Sequence, residues 1–166
     1  MADKITLKQL VGSDNTDDFL NFDITVIQSV LSQLASEHAI DIAHSEMLQQ
    51  KALYAADILT EYLARMIKTV SFLEAKLNAV RNKVSLEYEA SNRKTTMEMK
   101  RLAGESDPRV EEIAIELARA KGAKIALEKK YELLLKSHHY WKDVSASQNK
   151  GMVSTSSKPI TGKVEW

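Results

Sequence analysis

One stretch of this sequence places apolar residues at alternating spacings of four and three from residue 52 to residue 84, without an exception. Such spacing puts every member on one side of an α-helix and is typical of a coiled-coil seam. The interval between Gly12 and Gly104 contains neither glycine nor proline, the residues that turns favour. The pattern predicts a long helix over residues 46–90 and argues against a many-stranded sheet. The seam residues are Ala52, Ala56, Leu59, Leu63, Met66, Val70, Leu73, Leu77, Val80 and Val84.

A second seam of the same spacing runs from Val110 to Trp141, and its two polar members are Lys124 and His138. Polar residues in a seam commonly set the register of the paired helices. Asp107 and Pro108 are typical of a helix start, with the aspartate as N-cap and the proline at the first helical position. The sequence therefore predicts a second long helix that begins at residue 107.

Shorter helices are predicted before and between the two seams. Spacings of four and three from Leu20 to Leu34 indicate an amphipathic helix over residues 17–36. Residues 36–45 fit either a kink or a continuous helix. Thr95 followed by Glu98 matches a capping box, which predicts a short helix over residues 96–103 that ends at Gly104.

The length of the first seam helix decides the architecture. A helix over residues 46–90 is about 67 Å long, whereas a compact chain of 166 residues is about 40 Å across. Apolar residues also lie off the seam in its first half, and one partner helix cannot cover them. We therefore expect an all-α fold: a long antiparallel, coiled-coil-like helical hairpin with an extra N-terminal helix, assembling into a homo-oligomer. The predicted oligomerisation residues are Leu48, Leu59, Leu63, Met66, Ile67 and Val70.

Composition indicates three regions and a reducing compartment. We expect a flexible N-terminus over residues 1–15, a helical oligomerisation and DNA-binding domain over residues 16–144, and a flexible Ser/Thr/Lys-rich tail over residues 145–166. The sequence has no cysteine, its start lacks the apolar core of a signal peptide, and its longest uncharged stretch is too short to cross a bilayer. A cytoplasmic location without membrane contact is the expectation.

The charged residues are unevenly distributed, although the net charge is zero. Residues 62–102 carry nine positive and four negative charges, residues 103–118 carry one and five, and residues 119–150 carry eight and three. If the chain reverses at the acidic segment, the two basic segments form one surface suited to phosphates. The alternative is that these charges are only solvated. The candidate DNA-binding residues are Arg81, Lys83, Arg93, Lys94, Lys129, Lys130, Lys136, His139, Tyr140 and Lys142.

Residue patterns for catalysis are absent from the sequence. The four histidines, His38, His44, His138 and His139, form no His-x-x-x-His or Glu-x-x-His pair. No glycine-rich phosphate loop occurs, and no spacing brings a serine, a histidine and a carboxylate together. We expect a binding protein rather than an enzyme, with no catalytic residues, no metal and no cofactor.

Several segments together give the chain a family resemblance over residues 24–145. These are an acidic N-terminal helix, His44–Leu48 opening the long helix, Arg81–Tyr88 closing it, the break at Lys94–Glu98, and Ser106–Arg109 opening the final helix. In this order the chain resembles the bacteriophage recombination mediator (UvsY-like) proteins.

The resemblance implies a small helical, ring-forming homo-oligomer that acts in DNA recombination, repair and replication. It would bind single-stranded DNA and load a recombinase onto strands covered by single-strand-binding protein, in the host cytoplasm if the protein is phage-encoded. The family's DNA contacts include basic residues late in the long helix, and the nearest counterparts here are Arg81 and Lys83.

Two functional hypotheses follow from the sequence. The first is a single-stranded-DNA-binding recombination mediator, favoured by the paired basic segments and the resemblance. The second is a non-catalytic helical scaffold, adaptor or virion structural protein without nucleic-acid binding, which the net charge of zero favours. Binding of a single-stranded oligonucleotide at moderate salt separates the two.

Overall fold

The computed structural model describes residues 5–7, 20–92 and 94–151, and over these residues the protein is all-α, as predicted. No strand occurs among them, and their only β-type pairing is an isolated bridge between Thr6 and Asp23. The helices in chain order are α1 (Thr25–Ser36), α2 (Ile42–Ser91), α3 (Met97–Ser106) and α4 (Pro108–Gly151).

The described residues divide into two units, and both long helices contribute to each of them. Unit 1 contains residues 5–6, 23–62 and 127–151, and unit 2 contains residues 7, 20–22, 63–92 and 94–126. Unit 1 extends beyond the predicted helical domain of residues 16–144 at both ends, through residues 5–6 and 145–151, and unit 2 extends beyond it through residue 7. The division arises because the residues of each long helix contact different neighbours along its length.

In unit 1 the apolar seam residues of α2 are buried, as are Leu127, Leu134 and Trp141 of α4, whereas Tyr131 and His138 are half-buried. Leu59 of α2 and Leu134 of α4 are fully buried, and only 3% of the Trp141 surface is exposed. The hydroxyl of Ser45 donates to Oε1 of Gln148 at 3.2 Å. The polar seam member His138 places Nδ1 3.5 Å from the carbonyl oxygen of Gln49. Later residues of α2 therefore meet earlier residues of α4, which is an antiparallel contact within this unit.

In unit 2, three ion pairs between α2 and α4 show the same antiparallel arrangement, beside an apolar core. Lys121 pairs with Glu74 at 2.7 Å, Lys76 with Glu116 at 3.8 Å, and Arg109 with Glu87 at 2.7 Å. Residue numbers again rise along α2 as they fall along α4. The buried seam residues of this unit are Met66, Val70, Leu73, Leu77, Val84, Val110, Ile113, Leu117 and Ala120, and Ala123 is buried in place of the polar seam member Lys124.

The first helix begins later than the sequence predicted. Helix α1 starts at Thr25, so residues 20–24 lie outside it, although Leu20 and Ile24 are buried as the apolar pattern requires. The backbone N–H of Ile24 donates to the carbonyl of Ile5 at 2.9 Å, and that of Thr25 donates to Oδ1 of Asp23 at 3.0 Å. These contacts occupy the backbone N–H groups at the start of the helix, and Ile24 itself is not helical. The predicted start at residue 17 lies outside the described residues.

Residues 36–45, for which the sequence fitted either a kink or a continuous helix, contain a break followed by a new helix. Residues 37–41 are not helical, and α2 begins at Ile42. Asp41 caps α2, because its Oδ1 accepts the backbone N–H of His44 at 2.7 Å. The 50 residues of α2 thus include the predicted range of 46–90.

The capping-box prediction needs correction. The cap of α3 is Thr96, whose hydroxyl accepts the backbone N–H of Met99 at 3.3 Å, rather than Thr95. Glu98 pairs with Arg101 instead of reaching back to the cap. Gly104 does not end the helix, which continues to Ser106. The predicted start at Asp107 is confirmed, since its Oδ1 accepts the backbone N–H of Arg109 at 2.8 Å and α4 begins at Pro108.

Helix α4 continues past the predicted tail boundary at residue 144. It runs to Gly151, and Ser145 is buried with 7% exposure. The bond from Ser45 to Gln148 anchors this last part of the helix within unit 1. Polar composition alone suggested a tail because serine is a weak helix former in the absence of such contacts. Residues 1–4, 8–15 and 152–166 of the predicted termini lie outside the described residues.

Candidate nucleic-acid interface

The predicted DNA-binding residues fall into two groups, one in each unit. Arg81, Lys83 and Lys94 belong to unit 2, and Arg93 lies outside the described residues. The second group, on α4 in unit 1, consists of Lys129, Lys130, Lys136, His139, Tyr140 and Lys142.

The α4 group offers exposed cations but little open aromatic surface. Lys129, Lys136, His139 and Lys142 are exposed, whereas burial lowers the pKa of the Lys130 ammonium group. Two acidic residues, Glu132 and Asp143, are also exposed on this segment and reduce its positive potential.

Tyr140, the predicted stacking residue of the α4 group, is half-buried. Its ring packs edge to face against the buried Trp141, with centroids 4.9 Å apart and an interplanar angle of 77°. His139 packs similarly against His138 at 5.3 Å. Tyr140 is therefore a residue at the edge of the core, and its ring is less open to a base than the sequence suggested.

In unit 2, helix α3 packs against α2 at Gly104, where an added Cβ atom would stand in ordinary van der Waals contact with α2. A Cβ atom at Gly104 would lie 3.4 Å from Oγ of Ser85 and 3.5 Å from the carbonyl oxygen of Arg81. The hydroxyl of Ser85 also donates to the carbonyl of Lys100 at 3.3 Å. This packing brings the cations of α3 beside Arg81.

An open cavity of about 400 Å³, which we call the α2–α3 pocket, results from this approach. Three cations and one carboxylate line it, which favours an anionic ligand. The exposed side chain of Met97, with 82% of its surface accessible, adds an apolar element. The lining residues are Arg81, Asn82, Ser85, Met97, Lys100, Arg101, Gly104 and Glu105.

Two of the three cations in the pocket already have carboxylate partners. Lys100 pairs with Glu89 at 2.6 Å, and Arg101 binds Glu98 at 2.7 Å and Glu105 at 2.8 Å. The hydrogen bond from Arg101 lowers the pKa of Glu98, and the two carboxylates raise the pKa of Arg101. Exposed ion pairs contribute little free energy and are screened by salt. A phosphate can therefore compete with these carboxylates.

Arg81 differs from its two neighbours in the pocket. It is exposed, and it makes no ion pair with any other residue in the described part of the chain. A guanidinium presents several N–H donors in a planar fork that matches phosphate geometry. Among the predicted residues, Arg81 is therefore the one best placed to hold a phosphate.

The other predicted cations of unit 2 lie outside the pocket. Lys83 is 71% exposed and lies 4.0 Å from Glu87, and Lys94 is exposed in the connection between α2 and α3. The candidate site residues missing from the prediction are Lys100 and Arg101. Both were visible in the sequence as cations near the turn, but only the packing of α3 on α2 places them beside Arg81.

The predicted oligomerisation residues are mostly core residues of the single chain. Leu48, Leu59, Met66 and Val70 are buried without any second copy, and Leu63 is half-buried. Only Ile67 is substantially exposed, at 48%. The chain's own helices cover most of these positions, and the contact between copies through them stays a prediction.

No group of three metal-binding side chains occurs among the described residues. No helix in these ranges combines the length and the apolar character that crossing a membrane requires.

No family model, no curated protein and no solved structure matches this chain. The described residues form an all-α protein with two long helices. Its function is therefore inferred from the chemistry of its surfaces.

Proposed function

We propose that this protein binds single-stranded DNA through its phosphates and acts as a recombination mediator. The observation that supports this proposal best is the α2–α3 pocket, where the exposed, unpaired Arg81 lies with Lys100 and Arg101. Phosphate contacts of this kind supply most of the sequence-independent affinity for nucleic acids. The exposed Met97 beside these cations offers an apolar contact to an unpaired base, which favours single strands over duplexes.

The proposal includes an assembly and partners. In it, α2 and α4 form one long antiparallel hairpin, several copies of the chain assemble, and their basic surfaces hold one strand together. The assembly then loads a recombinase onto strands covered by single-strand-binding protein. The antiparallel contacts within each unit support the hairpin, and the family resemblance supports the partners.

A scaffold or adaptor without nucleic-acid binding is the second candidate. The observation that favours it is the neutralisation of basic residues on unit 2, where Lys100, Arg101 and Arg109 all pair with carboxylates. In this alternative the charges stabilise the connection between the helices and bind no partner.

Titration of a fluorescent homopolymer strand at several salt concentrations tests the proposal. If one contact unit neutralises about five phosphates, the log affinity should fall against log salt with a slope near −3.5, from about −0.7 per phosphate. The change Arg81→Ala should flatten the slope by about 0.7 and weaken binding to every sequence alike. The matched control is Lys121→Ala, because this exposed cation of unit 2 already pairs with Glu74 and lies outside the α2–α3 pocket.

The outcomes separate the two candidates. Absence of binding by the wild-type protein at low salt would contradict the mediator proposal and leave the scaffold. Binding that is indifferent to Arg81 and Lys83 but lost in a Lys129→Ala, Lys136→Ala variant would move the site to α4. Light scattering with and without the strand gives the subunit number, and a wild-type monomer in both conditions would contradict the assembly.

A further inference from the structure

The outer face of α2 in unit 2 presents an aromatic side chain to solvent. Phe72 is 67% exposed, whereas its neighbours Val70 and Leu73 are buried in the core. A phenylalanine ring in water costs free energy that its burial would recover. Neither the seam nor any other described contact accounts for this exposure.

Four cations share the side of α2 on which Phe72 lies. They are seven and four residues before it and four and eleven residues after it. At about 100° per residue, these spacings put all four within about 40° of the direction of Phe72. We call this surface the α2 basic face, and its members are Arg65, Lys68, Phe72, Lys76 and Lys83.

The α2 basic face carries no carboxylate of its own between residues 65 and 83. The single acidic residue in that range is Glu74, which points away from the face and pairs with Lys121 of α4. From neighbouring positions, Glu116 lies 3.8 Å from Lys76 and Glu87 lies 4.0 Å from Lys83. Both contacts are long, and Lys83 remains 71% exposed. Glu61 lies one turn before Arg65 on the same side of α2, and both residues take part in interactions of their own, so the positive potential around the exposed ring comes from Lys68, Lys76 and Lys83.

We infer that Phe72 is a base-stacking residue, on which an unpaired nucleobase lies while the flanking cations hold the neighbouring phosphates. The inference rests on the proposed single-stranded-DNA binding and adds a second contact site to it. An aromatic platform within a positively charged surface is the combination that sequence-independent single-strand binders use. Lys68, Lys76 and Lys83 follow one another along the helix, so a strand that runs along α2 meets a cation at intervals.

A second copy of the chain is a poorer occupant of this face. The small residues Ala75 and Ala79 would let another helix approach closely, since both are exposed beside Phe72. Two copies that met through this face would, however, place Arg65, Lys68, Lys76 and Lys83 against cations of the partner. Like charges that face each other destabilise an interface. A polyanion is the complementary ligand.

The test is a titration of the full chain with a fluorescent oligothymidylate at several salt concentrations. Loss of one stacked base should weaken binding by about 5- to 150-fold in Phe72→Ala, with the salt slope unchanged. Phe72→Leu should lose affinity similarly, because it keeps apolar bulk without a flat ring, and Phe72→Tyr should retain it. In contrast, Lys68→Ala should flatten the slope by about 0.7. The control Ile115→Ala removes another exposed apolar residue of unit 2, on α4, and should bind as the wild type does.

Light scattering of each variant completes the test. Weaker binding by Phe72→Ala with an unchanged subunit number and salt slope supports the inference. Normal binding by Phe72→Ala, while the wild type binds at low salt, overturns the inference and leaves the proposed function intact. Absence of binding by the wild type overturns both. A change of subunit number in Phe72→Ala would make the face an interface between copies and overturns the stacking role.

Discussion

Each unit contains a connection between helices, and different pairs of side chains stabilise the two connections. In unit 1, residues 37–41 join α1 to α2, and Oε2 of Glu37 lies 2.6 Å from Nε2 of His44. In unit 2, residues 92–107 carry the chain from α2 through α3 to α4. There, Arg109 binds both Glu87 at 2.7 Å and Asp107 at 2.9 Å. Unit 1 pairs a carboxylate with a histidine, and unit 2 pairs carboxylates with an arginine.

The difference shows how a chain with few glycines can still change direction. Polar side chains cap the helices on both sides of the breaks, with Asp41 in unit 1 and Thr96 and Asp107 in unit 2. The two connections therefore differ in the side chains that bind their carboxylates, although both depend on caps.

The largest effect is expected from substitutions in the cores of the two units. Leu59 of unit 1 is fully buried and Leu77 of unit 2 retains 7% exposure. Truncation of a buried leucine to alanine lowers the free energy of unfolding by about 2–5 kcal/mol. Leu59→Ala should fall near the upper end and Leu77→Ala nearer the lower end, as measured by urea denaturation. A smaller loss for Leu59→Ala than for Leu77→Ala would contradict the assignment of Leu59 as a core residue of the single chain.

A smaller effect tests the cap of the unit 2 connection. Thr96→Ala removes the hydroxyl that accepts the N–H of Met99 and should lower the free energy of unfolding by about 1 kcal/mol. The matched control is Thr95→Ala, one residue earlier, whose side chain caps no helix among the described residues. Thermal denaturation of both variants checks the prediction. Equal losses in the two variants would restore the capping box that the sequence suggested.

The smallest effect is the pH dependence of the two connections. Hydrogen bonds from Gln33 and then His44 lower the pKa of Glu37, and the hydrogen bond from Arg109 lowers that of Glu87. Because both folded pKa values lie below the ordinary 4.5, each stabilisation is fully present above that pH. It is lost as the pH falls through the folded value.

Unfolding of Glu37→Gln and Glu87→Gln, compared with the wild type from acid to alkaline pH, measures both contributions. The effect of each variant should shrink in acid. For either variant, an effect that stays the same from neutral pH into acid would contradict the contribution assigned to that carboxylate.

Much of the fold was predictable because helical periodicity is a local property. The 4–3 spacing identified both seams, and residues such as Leu59, Leu77, Leu117 and Leu134 are buried as that spacing requires. The start of α4 could also be predicted from the sequence, because the cap formed by Asp107 and Pro108 depends only on adjacent residues.

The candidate site was predictable only in part. Sequence identified Arg81 and Lys83 as cations late in the long helix, and the structure exposes both. It could not place Lys100 and Arg101 beside Arg81, because that arrangement depends on the packing of α3 on α2. It also treated Phe72 as an apolar residue that needs a covering partner, whereas the exposed ring lies among cations.

The sequence by itself determined the class of the fold, the buried side of each long helix and the start of the last helix. Each of these depends on residues within a few turns of one another, where propensity, periodicity and capping act directly. Tertiary structure decided where α1 begins, that α4 extends to Gly151, that Thr96 caps α3, and which cations share a pocket. Those outcomes depend on contacts between segments distant in sequence, and no local pattern encodes which of several competing polar groups will meet.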